Sequence, residues 1–156
     1  MNNITLYQHA LSGHSHRAQL LLSLLGLDAT LVDVDLAAGE HKQAAFLAKN
    51  RFGQVPVLED GAAMIADSNA ILVYLALQYD ASRTWLPSDP LAAAEVQRFL
   101  STAAGQIASG PAAARLVNVF GAALDHQRAV AVAHNVLSVL ESHLDGREWL
   151  VRNNPT

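Results

Sequence analysis

Short apolar runs and helix-like patterns alternate along the first half of the chain. Residues 4–7 predict a short buried strand, and residues 30–36 alternate apolar and polar side chains as a second strand does. Between them, residues 17–25 are apolar on nearly every side and predict a buried helix, with Ser15 as its N-cap and Gly26 after its end. A strand, a helix and a strand in this order predict two parallel strands.

A hairpin and a further helix follow this first unit of pattern. A short helix near Phe46 comes before two strands, residues 57–59 and 63–65, joined by an Asp-Gly turn at residues 60–61. The next helix opens at residue 67 or 68 and runs to about residue 80. The order strand–helix–strand–helix–strand–strand–helix is that of a thioredoxin-like α/β domain.

The chain therefore predicts two domains. The thioredoxin-like domain covers residues 1–80, and residues 81–88, which contain proline and serine, form a linker. Residues 89–156 predict an all-helical domain.

Two apolar stripes organise that helical domain. One runs over residues 96–107 and the other over residues 129–144, which predicts two long antiparallel helices joined at about residues 121–125. Gly110-Pro111 is expected to kink or break the first of them, because proline removes a helical hydrogen bond.

Composition narrows the class of protein. The 156 residues are 51% apolar and 15% charged, which is typical of a soluble globular protein. A net charge of −4 without a basic run gives no indication of nucleic acid or of an anionic membrane as a partner. No signal pattern or spanning stretch occurs, so a cytoplasmic protein is expected.

The absence of cysteine excludes disulfides and any chemistry that needs a protein thiolate. The seven histidines are scattered without a pair on one helix face, so no metal site is expected.

Two stretches offer chemistry. Pro56 stands at the start of a strand, which biases Val55 towards an extended backbone whose N–H and C=O are free to pair with a peptide-like ligand. Ser12 lies just before a helix start, where free N–H groups and the helix dipole favour an anion such as a thiolate. On its own, a loop serine is more often a turn or cap residue.

Segments along the chain, in order and spacing, resemble the cytosolic glutathione transferases over residues 4–156. These segments are Thr5-Leu6-Tyr7 with Leu11-Ser12-Gly13-His14-Ser15-His16-Arg17, then Gly39-Glu40-His41, the stretch 53–61, and Ala66-Asp67-Ser68-Asn69-Ala70-Ile71. Within them, Ser12-Gly13-His14-Ser15-His16-Arg17 is similar to the corresponding stretch of the serine-type transferases.

The resemblance implies that Ser12 activates the thiol of glutathione for attack on a small hydrophobic electrophile. It leaves open a glutathione-dependent isomerisation or reductive cleavage of the zeta-like kind, and also a binding or regulatory module without turnover. Tyr7 is a weaker catalytic candidate beside Ser12. His14 stands where the zeta-like branch carries a cysteine, and either brings an extra donor near the sulfur or is a solvated loop residue.

The remaining contacts are implied by the resemblance residue by residue. Val55 would pair with the cysteinyl backbone of glutathione, with Gln54 as a polar contact beside it. Ser68 would hold the γ-glutamyl carboxylate, Asp67 would face the ammonium group, and His41 would reach the glycyl carboxylate. Lys42 is a spare cation next to that site.

Phe52 stands where several branches insert an aromatic residue into a partner subunit, which implies a homodimer. The alternative is that Phe52 packs back on its own domain. The chain stops at Thr156, the expected N-cap of a further helix, so we expect a truncated helical domain that is loosened, self-associated or covered by a partner.

Overall fold

A computed structural model describes residues 4–153 and residue 155. The chain divides into two compact units, of which the first extends to Ser82 and the second begins at Arg83.

The first unit is built on a four-stranded sheet. Its strands are β1 (Ile4–Gln8), β2 (Ala29–Asp33), β3 (Val57–Asp60) and β4 (Ala63–Ala66), in the spatial order β2-β1-β3-β4. The strand β1 pairs parallel with β2 and antiparallel with β3, and β3 pairs antiparallel with β4. The predicted parallel pair and the predicted hairpin are therefore confirmed.

Three helices complete the first unit. They are α1 (Gly13–Leu24), the short α2 (Ala44–Leu47) after a 3-10 turn at Glu40–Lys42, and α3 (Ser68–Tyr79). The helices α1 and α3 pack against each other. Together with the sheet they form the βαβαββα arrangement of a thioredoxin-like domain, as predicted.

The start of α1 differs from the prediction. The helix begins at Gly13, and its N-cap is Ser12, whose Oγ accepts a hydrogen bond from the Ser15 N–H at 3.2 Å. The prediction of Ser15 as the cap is wrong: Ser15 is buried, and its Oγ accepts from the His9 N–H at 3.3 Å. The polar residues after Ser12 suit a first helical turn because its N–H groups have no partner within the helix.

The hairpin turn is shifted by one residue from the prediction. Asp60 remains in β3 and pairs with Ala63, so the two-residue loop is Gly61-Ala62, with Gly61 at φ +58°. The carboxylate of Asp60 accepts hydrogen bonds from the hydroxyls of Tyr74, at 2.9 Å, and of Tyr79. The bond to Asp60, with burial and the negative charge, raises the pKa of Tyr79 to about 12.

The second unit is helical, as predicted. It consists of α4 (Pro90–Thr102), a π-helical segment (Ala103–Ala112), α5 (Ala113–Phe120) and α6 (His126–Leu144). The helix α6 packs against the π-helical segment and α5, and α5 ends at Gly121 with φ +63°.

The expected break at Gly110-Pro111 does not occur. The chain stays helical and widens to π geometry over the ten residues that include Pro111, which is one way in which a helix accommodates a missing N–H. Gly110 is needed for another reason: a Cβ at this position would lie 2.9 Å from the backbone nitrogen of Ala133 in α6.

Candidate functional site

A cleft of about 640 Å³ in the first unit brings together all the residues that the sequence analysis proposed as ligand or partner contacts. They come from the N-terminus of α1, the 3-10 turn, the loop before β3 and the N-terminus of α3. These residues are Ser12, His41, Phe52, Gln54, Val55, Asp67 and Ser68.

Ser12 is placed by its role as the N-cap of α1. Its Oγ accepts from Ser15, and its carbonyl oxygen accepts from the His16 N–H at 2.9 Å. Since the Oγ acts only as an acceptor in these contacts, its O–H is available to donate to a ligand atom in the cleft. An anion beside Ser12 would thus meet a donor hydroxyl and, next to it, the N-terminus of α1.

The loop before β3 is shaped by Asn50. This buried side chain donates from Nδ2 to the Gln54 carbonyl oxygen at 2.8 Å and accepts at Oδ1 from the Phe52 N–H at 3.1 Å. Gly53 has φ +57°, and a Cβ there would lie 2.6 Å from the His41 carbonyl oxygen. Only glycine fits that close approach, which holds the loop against the 3-10 turn.

Val55 follows this loop, and its peptide bond to Pro56 is cis. Within residues 4–153 and 155, neither the N–H nor the C=O of Val55 has a hydrogen-bond partner. Val55 also lines the cleft, so its backbone offers a donor and an acceptor to an extended ligand.

The N-terminus of α3 carries two of the proposed residues. Asp67 caps the helix, and its Oδ1 accepts from the N–H groups of Asn69, at 2.9 Å, and Ala70, at 3.0 Å. Asp67 has φ +77° and ψ +129°, a backbone conformation that costs a non-glycine residue about 1–3 kcal/mol. Strain of this kind is concentrated at functional sites. Ser68, the first residue of the helix, is buried.

His41 and Lys42 lie on the 3-10 turn. The Nδ1 of His41 is buried and, in the part of the chain that the structure describes, has no hydrogen-bond partner. The sequence predicts Lys42 as a spare cation, but in the structure this side chain is engaged. Its Nζ donates to the carbonyl oxygens of Phe52, at 3.2 Å, and Gly53, at 2.9 Å. A buried imidazole nitrogen without a partner is the more direct indication of a polar ligand group here.

His14 lies in the first turn of α1 and not in a loop, but it is exposed, as the solvated alternative expects, and it lines the cleft. Its Nδ1 is 3.1 Å from the Ser68 Oγ and 3.1 Å from Nη2 of Arg17, whose Nη1 donates to the Asn69 Oδ1. Burial and the Arg17 charge lower the pKa of His14, and the Asp67 charge opposes them. His14 is therefore neutral near neutral pH.

Tyr7 is not among the residues that line the cleft. Its hydroxyl donates to Oε2 of Glu59 at 2.8 Å, and Lys49, which forms an ion pair with Glu59 at 3.5 Å, lies 4.4 Å from the centre of the Tyr7 ring. The Tyr7 hydroxyl thus links β1 to β3, which favours a packing role for this residue over a catalytic one.

Phe52 is 81% exposed at the edge of the cleft. It does not pack back onto the first unit, so that alternative is wrong. Its exposure fits a residue that is covered by another molecule.

The residues that the structure describes contain neither a metal site nor a membrane-spanning helix. No cluster of three or more His, Asp or Glu side chains there is arranged to hold a metal ion. None of the helices in that part of the chain is both long enough and apolar enough to cross a membrane.

The sequence matches all belong to one family. Residues 2–77 match the family model "Glutathione S-transferase, N-terminal domain". Glutathione S-transferase 3 of Zea mays is 35% identical over 161 residues, which span 96% of this chain and 71% of the maize protein. Human glutathione S-transferase theta-2 is 35% identical over 97 residues, which span 62% of this chain and only 40% of the human protein.

Solved structures agree with the sequence matches. A glutathione transferase homologue from Drosophila mojavensis, solved with bound glutathione, has a TM-score of 0.90 and 26% identity, and the match covers 100% of this chain and 72% of that one. A glutathione S-transferase from Xanthobacter autotrophicus has a TM-score of 0.87 and 32% identity over 99% of this chain and 76% of that one. From its fold, its cleft and these matches, the chain belongs to the glutathione S-transferase family.

Proposed function

We propose that this chain binds glutathione along the cleft of its first unit and uses the Ser12 hydroxyl to stabilise the glutathione thiolate. The thiolate then attacks an apolar electrophile. The observation that carries the proposal is that a donor hydroxyl at a helix N-terminus, Ser12, lines the same cleft as the unpaired backbone of Val55.

Glutathione is an extended tripeptide, and the cleft offers a contact for each part of it. The Val55 N–H and C=O can pair with the cysteinyl backbone, and the exposed Gln54 beside it adds a polar side chain. The buried Nδ1 of His41, which lacks a partner among the described residues, suits the glycyl carboxylate. At the other end, the N–H and hydroxyl of Ser68 suit the γ-glutamyl carboxylate, since the next two N–H groups of α3 are capped by Asp67.

Asp67 supports the γ-glutamyl contact in a second way. Its Oδ1 is used in capping α3, and its Oδ2 has no hydrogen bond in the described part of the chain. That oxygen is available to the ligand ammonium group, so one carboxylate can cap the helix and bind the ligand together.

The chemistry proposed for Ser12 is a single hydrogen bond to sulfur. A thiol with a pKa of about 8.5 is mostly protonated at neutral pH, and a donor to its charged form lowers that pKa. The helix dipole of α1 acts in the same direction. Ser12 needs neither to lose its proton nor to form a covalent bond.

Within this proposal, the electrophile is defined only as a small apolar molecule, and the active form is a homodimer in which Phe52 contacts the partner. The exposed Phe52 ring supports the dimer.

The test is the pKa of bound glutathione, followed by the ultraviolet absorbance of the thiolate as the pH is raised. We expect wild type to lower the thiol pKa well below that of free glutathione. Ser12→Ala should bind glutathione within a few-fold of wild type but leave its thiol pKa near the free value, and should slow thiol conjugation about 100-fold.

A matched control separates this effect from the loss of a helix cap. Ser12→Ala also removes a cap worth about 1 kcal/mol. Asp125→Ala removes another cap, at α6, whose Oδ1 accepts from the Arg128 N–H at 2.9 Å. This control should lose similar stability and keep the thiol pKa. A Ser12→Ala variant that still lowers the thiol pKa as wild type does would refute the role of Ser12.

A further inference from the structure

The imidazole of His14 has two neighbours that compete for one nitrogen. Both Nη2 of Arg17 and Oγ of Ser68 lie 3.1 Å from its Nδ1. A guanidinium can only donate, so Nδ1 carries a lone pair and the ring proton resides on Nε2. The Ser68 hydroxyl must then also donate to Nδ1, because an unprotonated nitrogen can only accept.

This arrangement conflicts with ligand binding at Ser68. In the described residues, Nδ1 of His14 is the one hydrogen-bond partner of the Ser68 Oγ. A hydroxyl has a single proton, and a carboxylate can only accept. The proton that would bind the γ-glutamyl carboxylate is therefore directed at His14 in the free protein.

A proton on His14 resolves the conflict. Protonated Nδ1 would donate to the Ser68 Oγ, and the Ser68 O–H would turn to the ligand carboxylate. Arg17 would lose its acceptor on His14 but keep its bond to the Asn69 Oδ1.

We propose that His14 is a positioning residue for the γ-glutamyl carboxylate: it takes up a proton when glutathione binds and so directs the Ser68 hydroxyl to the ligand. This inference rests on the proposed function and adds proton-linked binding to it. His14 acts through Ser68 and touches no reacting atom.

The charges around His14 determine the direction of the linkage. Arg17, on the same helix, opposes the proton, and Asp67, at the start of α3, favours it. The ligand brings a carboxylate to Ser68, which raises the pKa of His14, and an ammonium group to Asp67, which opposes that rise. Because the Ser68 hydroxyl connects the carboxylate directly to the protonated Nδ1, we expect the rise to prevail in the complex. Affinity should therefore rise as the pH falls between the bound-state and free-state pKa values, and level off below the free-state value.

The test is calorimetric titration with S-methylglutathione, which has no thiol proton, in buffers that differ in ionisation enthalpy. We expect wild type to take up part of a proton near neutral pH. Its affinity should rise with falling pH by at most about tenfold for each pKa unit by which binding shifts His14.

Three variants assign the proton. His14→Asn places a non-titrating amide near the position of Nδ1, so it should bind within a few-fold of wild type without proton uptake. His16→Asn changes an exposed histidine of the same turn and should behave as wild type. Ser68→Ala should bind more weakly and lose the uptake, because the link between His14 and the ligand is gone.

The outcomes separate this inference from the proposed function. Proton uptake that persists in His14→Asn or in Ser68→Ala overturns the inference and leaves glutathione binding intact. Binding by wild type with no proton uptake does the same. A wild type that does not bind S-methylglutathione overturns both.

Discussion

One methyl group added to either of two glycines tests how closely the helices of the second unit are packed. Gly105 and Gly110 both lie in the π-helical segment Ala103–Ala112. A Cβ at Gly105 would have no atom within 4 Å. A Cβ at Gly110 would lie 2.9 Å and 3.1 Å from the backbone N and Cα of Ala133, and 3.1 Å from Cγ1 of Val132.

The two substitutions share one free-energy term and differ in another. Replacing glycine by alanine inside a helix stabilises it by about 0.8–1 kcal/mol. Gly110→Ala must also move the α6 backbone, and overpacking of this kind typically costs about 1–3 kcal/mol. Its position before Pro111 adds crowding with the proline ring. We therefore expect Gly105→Ala to be the more stable variant by about 1–3 kcal/mol.

Urea unfolding followed by tryptophan fluorescence measures this difference. Both tryptophans of the chain, Trp85 and Trp149, belong to the second unit, so the signal reports on the unit that is changed. The two variants share host segment and chemistry, and each serves as the control for the other. If Gly110→Ala were as stable as Gly105→Ala, the close contact with Ala133 would not exist in solution.

Two further outcomes are expected. The pKa of Tyr79 in the folded chain, about 12, lies above its usual value of about 10, so its bond to Asp60 stabilises fully below about pH 10 and is lost as the pH rises through about 12. Tyr79→Phe should flatten this alkaline loss of stability in thermal melts at increasing pH, and an unchanged pH profile would contradict the assignment. Phe52→Ser should shift sedimentation from dimer towards monomer without lowering stability, because the ring is 81% exposed; an unchanged distribution would remove Phe52 from the interface.

Local patterns were enough to predict the sheet of the first unit. Strict alternation over residues 30–36 predicts a strand, and the structure has β2 at Ala29–Asp33, which ends three residues earlier than the pattern. The turn after β3 was misplaced by one residue because Asp60 is held in the strand by Tyr74 and Tyr79, which lie 14 and 19 positions away. A local sequence pattern contains no information about a contact between residues so far apart in the chain.

The start of α1 shows a different limit. The polar run after Ser12 is typical of a loop, yet it occupies a helical turn whose unpaired N–H groups favour polar neighbours. Once the helix is known to begin at Gly13, the spacing of three residues between His14 and Arg17 predicts their contact. The second partner of His14, Ser68, is 54 positions away and could be found only from the tertiary structure.

The bond of two tyrosines to Asp60 has a mechanical consequence for the far end of α3. Tyr74 and Tyr79 fix the helix to the end of β3, and a helix with a rise of about 1.5 Å per residue behaves as a stiff rod over this length. Ser68 lies six residues before Tyr74, about 9 Å along the helix axis. The tyrosine bonds to Asp60 therefore fix the position of Ser68 along that axis. Sliding α3 along its axis by one residue, about 1.5 Å, would disturb the 3.1 Å contact between the Ser68 Oγ and Nδ1 of His14. Asp60 thus sets the axial position of Ser68, a residue that it never touches.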